Sequence, residues 1–367
     1  MAGECEMRKI EMLGVDSQRF RELAKSRMPT GAGLADNIYA RAFRTGRLDA
    51  RAEGASEANA RAWEESFDVG LLELVDRADD LGSEGTTTKL VFAVRDGHRI
   101  ESVSIPMHGG NRTLCISSQI GCARGCAFCE TGRGGLERNL AASEIVGQVL
   151  SASLALGVRF RNIVFMGMGE PLDNLAEVAQ AIAVLRDRRA FSYSIERMTV
   201  CTSGDAAGIR ALAALGLKRL NLSVSLNAAR DELRSSLMPV NRSTPLASLA
   251  AALADYPSRR NFVLVVNYCL LPGLNDSRED ARAIAGFCSA VGRSLVNLIP
   301  YNPGSEPIAP SPTESEIGRF IGLLEAEGVP VRRRAGKGGA VMAACGQLGG
   351  RGQGMDAERP ALDQPCI

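Results

Sequence analysis

From residue 113 onward the chain alternates between two hydrophobic patterns. Short apolar runs rich in β-branched residues read as strands: TLCISSQ (113–119), NIVFMG (162–167), RMTVCTS (197–203), RLNLSVSL (219–226), NFVLVVNYCLL (261–271) and LVNLIPY (295–301). Between them, longer segments carry apolar residues at helical spacing: ASEIVGQVLSASLAL, LAEVAQAIAVLRD, AAGIRALAALG, PLASLAAALADY and REDARAIAGFCSAV. A further helical segment, TESEIGRFIGLLEAEG, leads into a strand at VPVRRR. Strand and helix in alternation predict a parallel sheet joined by right-handed crossovers. Six such units predict an α/β fold, a partial (β/α)6 barrel.

The first 110 residues follow a different rhythm. RFRELAKSR and ANARAWEESF have helical spacing, with Met28-Pro29 and Gly31 as punctuation, and residues 1–80 read as mostly helical. Trp63 and Phe67 stand four apart on one face and read as core. TKLVFAV, a turn at Asp96-Gly97, and RIESVSI read as a β-hairpin. The expected division is an accessory module over 1–110, a barrel over 111–348, and a polar, Gly- and Pro-containing tail over 349–367 that reads as disordered.

Composition narrows the function classes. Apolar content of 45% and charged content of 23% describe an ordinary globular chain. No apolar run is long enough to span a bilayer, so no membrane partner is expected. The start, MAGECEMRKIEML, has no secretory pattern, which predicts a cytoplasmic protein. Ten cysteines in 367 residues, three of them in one tight loop, do not look like a disulfide framework and suit a reducing compartment. The net charge of +1 is low for a protein that grips nucleic acid through phosphates. Local clusters at Arg41, Arg44 and Arg47, at Arg186, Arg188 and Arg189, and at Arg332, Arg333 and Arg334 could serve; each also reads as a solvated face.

The loop at 112–135, RTLCISSQIGCARGCAFCETGRGG, carries the densest chemistry. Cys122, Cys126 and Cys129 stand as C-x3-C-x2-C among small residues. Three close thiolates suit an iron–sulfur cluster or zinc. A structural zinc site needs a fourth Cys or His at short spacing. The nearest, Cys115 and His108, precede the loop and fit no usual pairing, so the cluster is the preferred reading. In a parallel barrel, reactive groups gather at the carboxyl ends of the strands. There the sequence has the Cys loop, then MGEPLDN, SGD, SLN and IPYNP, each with Gly or small polar residues.

Phe128 before the third Cys completes a loop that resembles the radical S-adenosylmethionine (SAM) superfamily. TLCISSQIGC, RNLAASEIVGQV, FMGMGEPLDN, TSG, NLIPYNP and AACGQL together resemble the RlmN/Cfr family of RNA adenine methyltransferases, from about residue 85 to 350. The resemblance implies a [4Fe-4S] cluster on Cys122, Cys126 and Cys129, with SAM as cofactor. It implies methyl transfer to a ring carbon of adenosine, carbon 2 in first place, in ribosomal or transfer RNA. Cys345 would carry the methyl group as S-methylcysteine, Cys115 would resolve the RNA adduct through a transient disulfide, and Glu101 would accept a proton. SAM would be held by Phe128, Gly169, Glu170, Ser203, Ser225, Leu226, Asn227 and Asn302. The partners implied are RNA and a one-electron reductant such as flavodoxin. Glu130 departs from the family's small residue, Asn227 from its His, and the segment before Cys345 lacks the expected acids. Cys201, Cys269 and Cys288 read as buried apolar residues; Cys5 and Cys366 have no assigned role. A radical SAM enzyme of a small molecule or peptide, and a non-catalytic metal-binding module, are the competing readings.

Overall fold

The computed structural model describes residues 9–257, 259–334 and 336–349. Cys5, Cys366 and nearly all of the tail expected to be disordered lie outside these residues.

Ten strands form one open sheet whose spatial order is the order of the chain. They are β1 (Glu73–Gly82), β2 (Gly85–Ala93), β3 (Arg99–Pro106), β4 (Arg112–Ile116), β5 (Asn162–Phe165), β6 (Met198–Thr202), β7 (Asn221–Ser225), β8 (Leu264–Leu270), β9 (Ser294–Pro300) and β10 (Val331–Arg333). β4 to β10 run parallel, and each crossover carries the helix its periodicity predicts: Ala142–Leu156, Leu175–Arg186, Ala206–Ala214, Leu246–Ala254, Arg278–Val291 and Glu314–Ala326. Two of these helices begin at full capping boxes, Ser277 with Asp280 and Thr313 with Glu316. The partial α/β barrel read from the pattern is the fold.

The predicted hairpin exists as β2 and β3. It is not set apart from the barrel sheet, because β3 pairs antiparallel with β4 from Val103–Cys115 to Pro106–Arg112. The division expected at residue 110 therefore falls between neighbours in one sheet. β1 was expected within a helical region. Its sequence, ELVDRADDLG, has charged residues at five of its ten positions and is almost wholly exposed, Leu74, Val75 and Leu81 included, as suits an edge strand kept soluble by charge.

Helices Ser17–Arg27, Ala35–Thr45 and Glu57–Ser66 pack outside the barrel on the same hydrophobic core. Trp63 and Phe67 lie in that core as expected, with Phe20 5.8 Å and 5.0 Å from them between ring centres. Ser17 N donates to Asp187 at 2.7 Å and ties this layer to the end of a barrel helix.

The open side of the sheet, between edge strands β1 and β10, is bridged by the segment that follows β10. Gly338 N donates to Asp80 on β1 at 3.0 Å. Lys337 pairs with Glu84 in the β1–β2 turn at 2.6 Å and donates to the Pro106 carbonyl at the end of β3 at 2.6 Å. This strap carries Cys345.

Candidate active site

The carboxyl ends of the parallel strands and the strap enclose a cavity of about 210 Å³. Cys122, Cys126 and Cys129 line it, with Phe128 between the last two. The loop holding them is built from backbone bonds: Cys122 N donates to Gly135 O at 2.7 Å, Ala127 N to Leu237 O at 2.9 Å, and Cys129 N to Cys126 O at 3.1 Å. Arg124 anchors the loop sideways. Its guanidinium bonds Asp173 and reaches Asp205 at 3.2 Å, joining the ends of β5 and β6 to the Cys loop. Burial raises all three thiols, Cys122 to about 11, so binding of a metal centre there would release their protons. Among the described residues, no three Cys, His, Asp or Glu side chains converge on a single-ion site. The donor set, three thiols around an open volume, suits a cluster rather than one zinc ion.

Opposite the end of β5, Gly169 has φ of 96°, and a Cβ there would run into Gln119. Glycine is the residue that both the left-handed backbone and the close approach require. It sets up Glu170, whose backbone N donates to Gln119 at 2.8 Å. The buried Glu170 carboxylate accepts from Ser203 N and Ser203 Oγ, both at 2.7 Å. Burial raises its pKa, and the bonds from Ser203 offset part of the rise. Ser225, Asn227 and Asn302 complete this wall. Leu226 is fully buried and is not part of the lining; its N donates to the Asn267 carbonyl and its carbonyl accepts from Arg234.

Asn227 has φ of 55°, a left-handed conformation that Asn tolerates better than most residues. Its Oδ1 accepts from Cys269 N at 2.9 Å, and its carbonyl accepts from Asn275 at 2.8 Å. The departure from His at this position therefore has a local structural role.

Cys115, on β4, and Cys345, on the strap, both line the cavity. All eight described cysteines are free. Cys115 is buried and pushed up to about 12 by desolvation, with the Cys345 sulfur adding to the rise. Glu101 does not line the cavity. It sits on β3 beneath the strap, where Gly349 N donates to it at 3.0 Å and Lys89 lies 3.4 Å away. Burial raises its pKa against the pull of Lys89.

With that wall in place, the relatives become informative. The Radical SAM superfamily pattern matches residues 116–284. A protein named probable dual-specificity RNA methyltransferase RlmN 1, from Protochlamydia amoebophila, is 45% identical over 267 residues, which cover 73% of this chain and 74% of its own. The chain belongs to the RlmN family of radical SAM enzymes. Another member, the dual-specificity RNA methyltransferase RlmN of Syntrophotalea carbinolica, is 45% identical over 270 residues, covering 73% of this chain and 71% of its own. The crystal structure of a radical SAM methyltransferase from Sphaerobacter thermophilus superposes with a TM-score of 0.84 at 33% identity, over 92% of this chain and 99% of that one. No helix among the described residues is long and apolar enough to cross a membrane.

Four features of this RlmN-family site escape sequence reasoning. Arg234 is fully buried behind the wall. It donates to the Leu226 carbonyl at 3.1 Å, to Asn241 at 2.9 Å, and to the carbonyls of Ser203 and Ser225, so it gathers the ends of β6 and β7. Desolvation lowers its pKa to about 10. Cys201 and Cys269, expected to be buried apolar residues, are half-buried and line the cavity; Cys288 is buried in a helix as expected. Glu130, the departure after the third cluster-loop Cys, is a buried latch. Its carboxylate accepts from Ser305 N at 2.9 Å and Ser305 Oγ at 2.7 Å and pairs with Arg133 at 2.9 Å, while its backbone N donates to Gly346 O at 2.8 Å. A Cβ at Gly304 would overlap the Glu130 carboxylate, so the two residues are complementary in shape. The fourth feature is Arg334, which sequence grouped with a surface patch.

Proposed function

We propose that this protein methylates a ring carbon of adenosine, carbon 2, in ribosomal or transfer RNA, through S-methylcysteine at Cys345. The observation that carries this reading is the meeting of Cys115 and Cys345 on one cavity with the three-Cys loop. A radical SAM enzyme of a small molecule or peptide has no evident need for that extra pair. The names of the relatives, dual-specificity RNA methyltransferases, agree with an RNA substrate.

The chemistry explains why a radical is needed. The target carbon lies between two ring nitrogens and is electrophilic, so it cannot attack the methyl group of SAM. Cys122, Cys126 and Cys129 would hold a [4Fe-4S] cluster, which would supply the electron for reductive cleavage of SAM. The chain's residues do the rest. Gly169 and Glu170 hold the methionine ammonium group, and Ser203, Ser225, the Leu226 main chain, Asn227, Asn302 and Phe128 hold the remainder of SAM. Cys345 attacks the methyl carbon of one SAM, and S-adenosylhomocysteine leaves. The deoxyadenosyl fragment of a second SAM would take a hydrogen atom from the Cys345 methyl group, whose carbon would then join the adenine ring, and the resulting adduct would give back one electron as it loses its ring proton. Glu101, its basicity raised by burial, would take the ring proton once the strap contact from Gly349 gives way and opens it to the cavity. Cys115 then attacks the Cys345 sulfur and frees the base, leaving a disulfide to be reduced.

The N-terminal helices and the β1–β3 meander would contact the RNA backbone, and an electron carrier such as flavodoxin would reduce the centre. A reducing cytoplasm suits both cluster and thiols. The test is direct. Reconstituted protein, SAM, a reductant and unmodified RNA should yield 2-methyladenosine by nucleoside mass spectrometry. Absence of a methylated adenosine from both ribosomal and transfer RNA rejects the reading.

A further inference from the structure

Arg334 and Lys337 reach the cavity as part of its lining. Ser117, Ser118 and Gln119, which follow β4, act from behind it. None of the three lines the cavity, and all are buried. Buried polar groups find partners inside the protein, and here the partners belong to the site.

The register explains where Ser117 goes. Val103 pairs with Cys115 at the end of the β3–β4 ladder, so the next step along the same face sets Glu101 opposite Ser117. On the other side, Ile116 pairs with Phe165, the last residue of β5. β4 stops at Ile116, and the Ser117 hydroxyl takes over from both ladders. It donates to the Glu101 carbonyl at 2.6 Å and accepts from Met168 N at 2.9 Å. Gln148, on the helix Ala142–Leu156, pins the Ser117 backbone: its Oε1 accepts from Ser117 N at 2.8 Å and its Nε2 donates to Ser117 O at 2.9 Å. The approach is close, because a Cβ at Gly167 would lie 2.7 Å from both the Ser117 hydroxyl and the Ile116 carbonyl oxygen.

The same three residues set the turn at 168–170. The Met168 carbonyl accepts from Ser118 N at 2.9 Å and Gln119 N at 3.2 Å. Glu170 N donates to Gln119 Oε1 at 2.8 Å, and Glu170 O accepts from Asp173 N at 3.1 Å. Among the described residues, Gly169 keeps both of its backbone groups without a partner, and it lines the cavity.

We propose that Ser117 is a positioning residue that acts through Met168, presetting the turn at 168–170 so that the Gly169 backbone meets the methionine end of SAM. The inference rests on the SAM contacts proposed above for Gly169 and Glu170. Without the hydroxyl, Met168 N and the Glu101 carbonyl lose a buried partner. Ser102 supplies the control. Its hydroxyl donates to the same Gln148 Oε1 at 2.8 Å and has no bond to the turn.

The test reads binding and amide exchange rather than turnover. Anaerobic, cluster-loaded full-length protein is titrated with S-adenosylhomocysteine by equilibrium dialysis. This probe keeps the ammonium and carboxylate of SAM and has no methyl group to give. Ser117→Ala should weaken its binding about tenfold, whereas Ser102→Ala, with a similar loss in thermal midpoint, should stay within about twofold of the wild type. Iron content should be unchanged in both. An affinity of Ser117→Ala in that same range, or equal weakening by the two variants, overturns the proposal. A second measurement needs no variant. In the wild type, the Met168 and Glu170 amides should exchange slowly before any ligand is added, and the probe should slow them by no more than about twofold. Amides that exchange freely until the probe binds also overturn it. RNA methylation by the wild type is scored separately, so failure of the RNA reading and failure of the Ser117 assignment remain distinct.

Discussion

The cluster loop and the strap hold cysteines against the same cavity, yet they are fastened in different ways. The three-Cys stretch of the loop is fastened to the barrel. Arg124 ties it to the ends of β5 and β6, and Ala127 to the Leu237 carbonyl. The strap has two hosts. Its start, at Lys337 and Gly338, is fixed to the meander through Glu84, Asp80 and Pro106, and its far end, at Gly349, through Glu101. Its middle is fixed to the barrel mouth, through Thr131 to the Leu348 carbonyl at 2.6 Å, Gln347 to the Pro303 carbonyl at 2.9 Å, and Glu130 to Gly346. Cys345 therefore sits between two sets of anchors, one on the meander and one on the barrel mouth. On the function proposed above, a carrier that reaches first a cofactor and then a base would gain from such a double attachment.

The sharpest break between the two regions comes from the cysteines themselves. Cys126→Ala should abolish iron and sulfide incorporation and, with it, SAM cleavage. Cys345→Ala should keep the iron and the cleavage and lose all methyl transfer to RNA. If Cys345→Ala also lost its iron, the two regions would not be independent. Next in size is Arg234, whose guanidinium is shared among wall carbonyls. Arg234→Met should cost about 3 kcal/mol in urea unfolding, because several buried carbonyls lose their donor at once. Glu130→Ala removes the latch between loop and strap and should cost about 2 kcal/mol. It should also raise the rate of proteolysis within 336–349 while iron content stays unchanged. The smallest effect concerns the strap's outer end: Lys337→Met should lower RNA methylation about fivefold, the equivalent of roughly 1 kcal/mol, with SAM cleavage preserved.

A pH series tests the wall that faces both regions. Burial raises Glu170 above its ordinary value of 4.5. Between that value and the raised one, the folded chain binds more protons than the unfolded chain, so stability falls as pH rises. Glu170→Gln should flatten this fall in cluster-free protein, read as urea midpoints at pH 5 and pH 7. Equal slopes for the two proteins would show that Glu170 does not titrate in this way.

Much of this was legible because it is local. Period-two and period-3.6 patterns marked the parallel strands and their helices, and the C-x3-C-x2-C spacing marked the loop before any contact was known. β1 was missed because an exposed edge strand need not alternate; its charges serve solubility instead of a core. Arg234 gave no signal, since a lone Arg in a short helix becomes structural only when three chain segments converge on it. Arg334 was hidden by Arg332 and Arg333, and only the register of β10 against β9 separates the three. Cys201 and Cys269 sit in apolar strands, so the pattern alone could not show which side of the sheet is hollow. Glu101 was expected at the site from the family resemblance, and its place beneath the strap depends on a contact 248 positions away.

The fit between Glu130 and Gly304 also couples two distant positions. A side chain at 304 would meet the end of the Glu130 carboxylate, so the glutamate would have to swing away and release Ser305. A methyl group at 304 would thus act as a wedge that opens the latch beside the Cys loop.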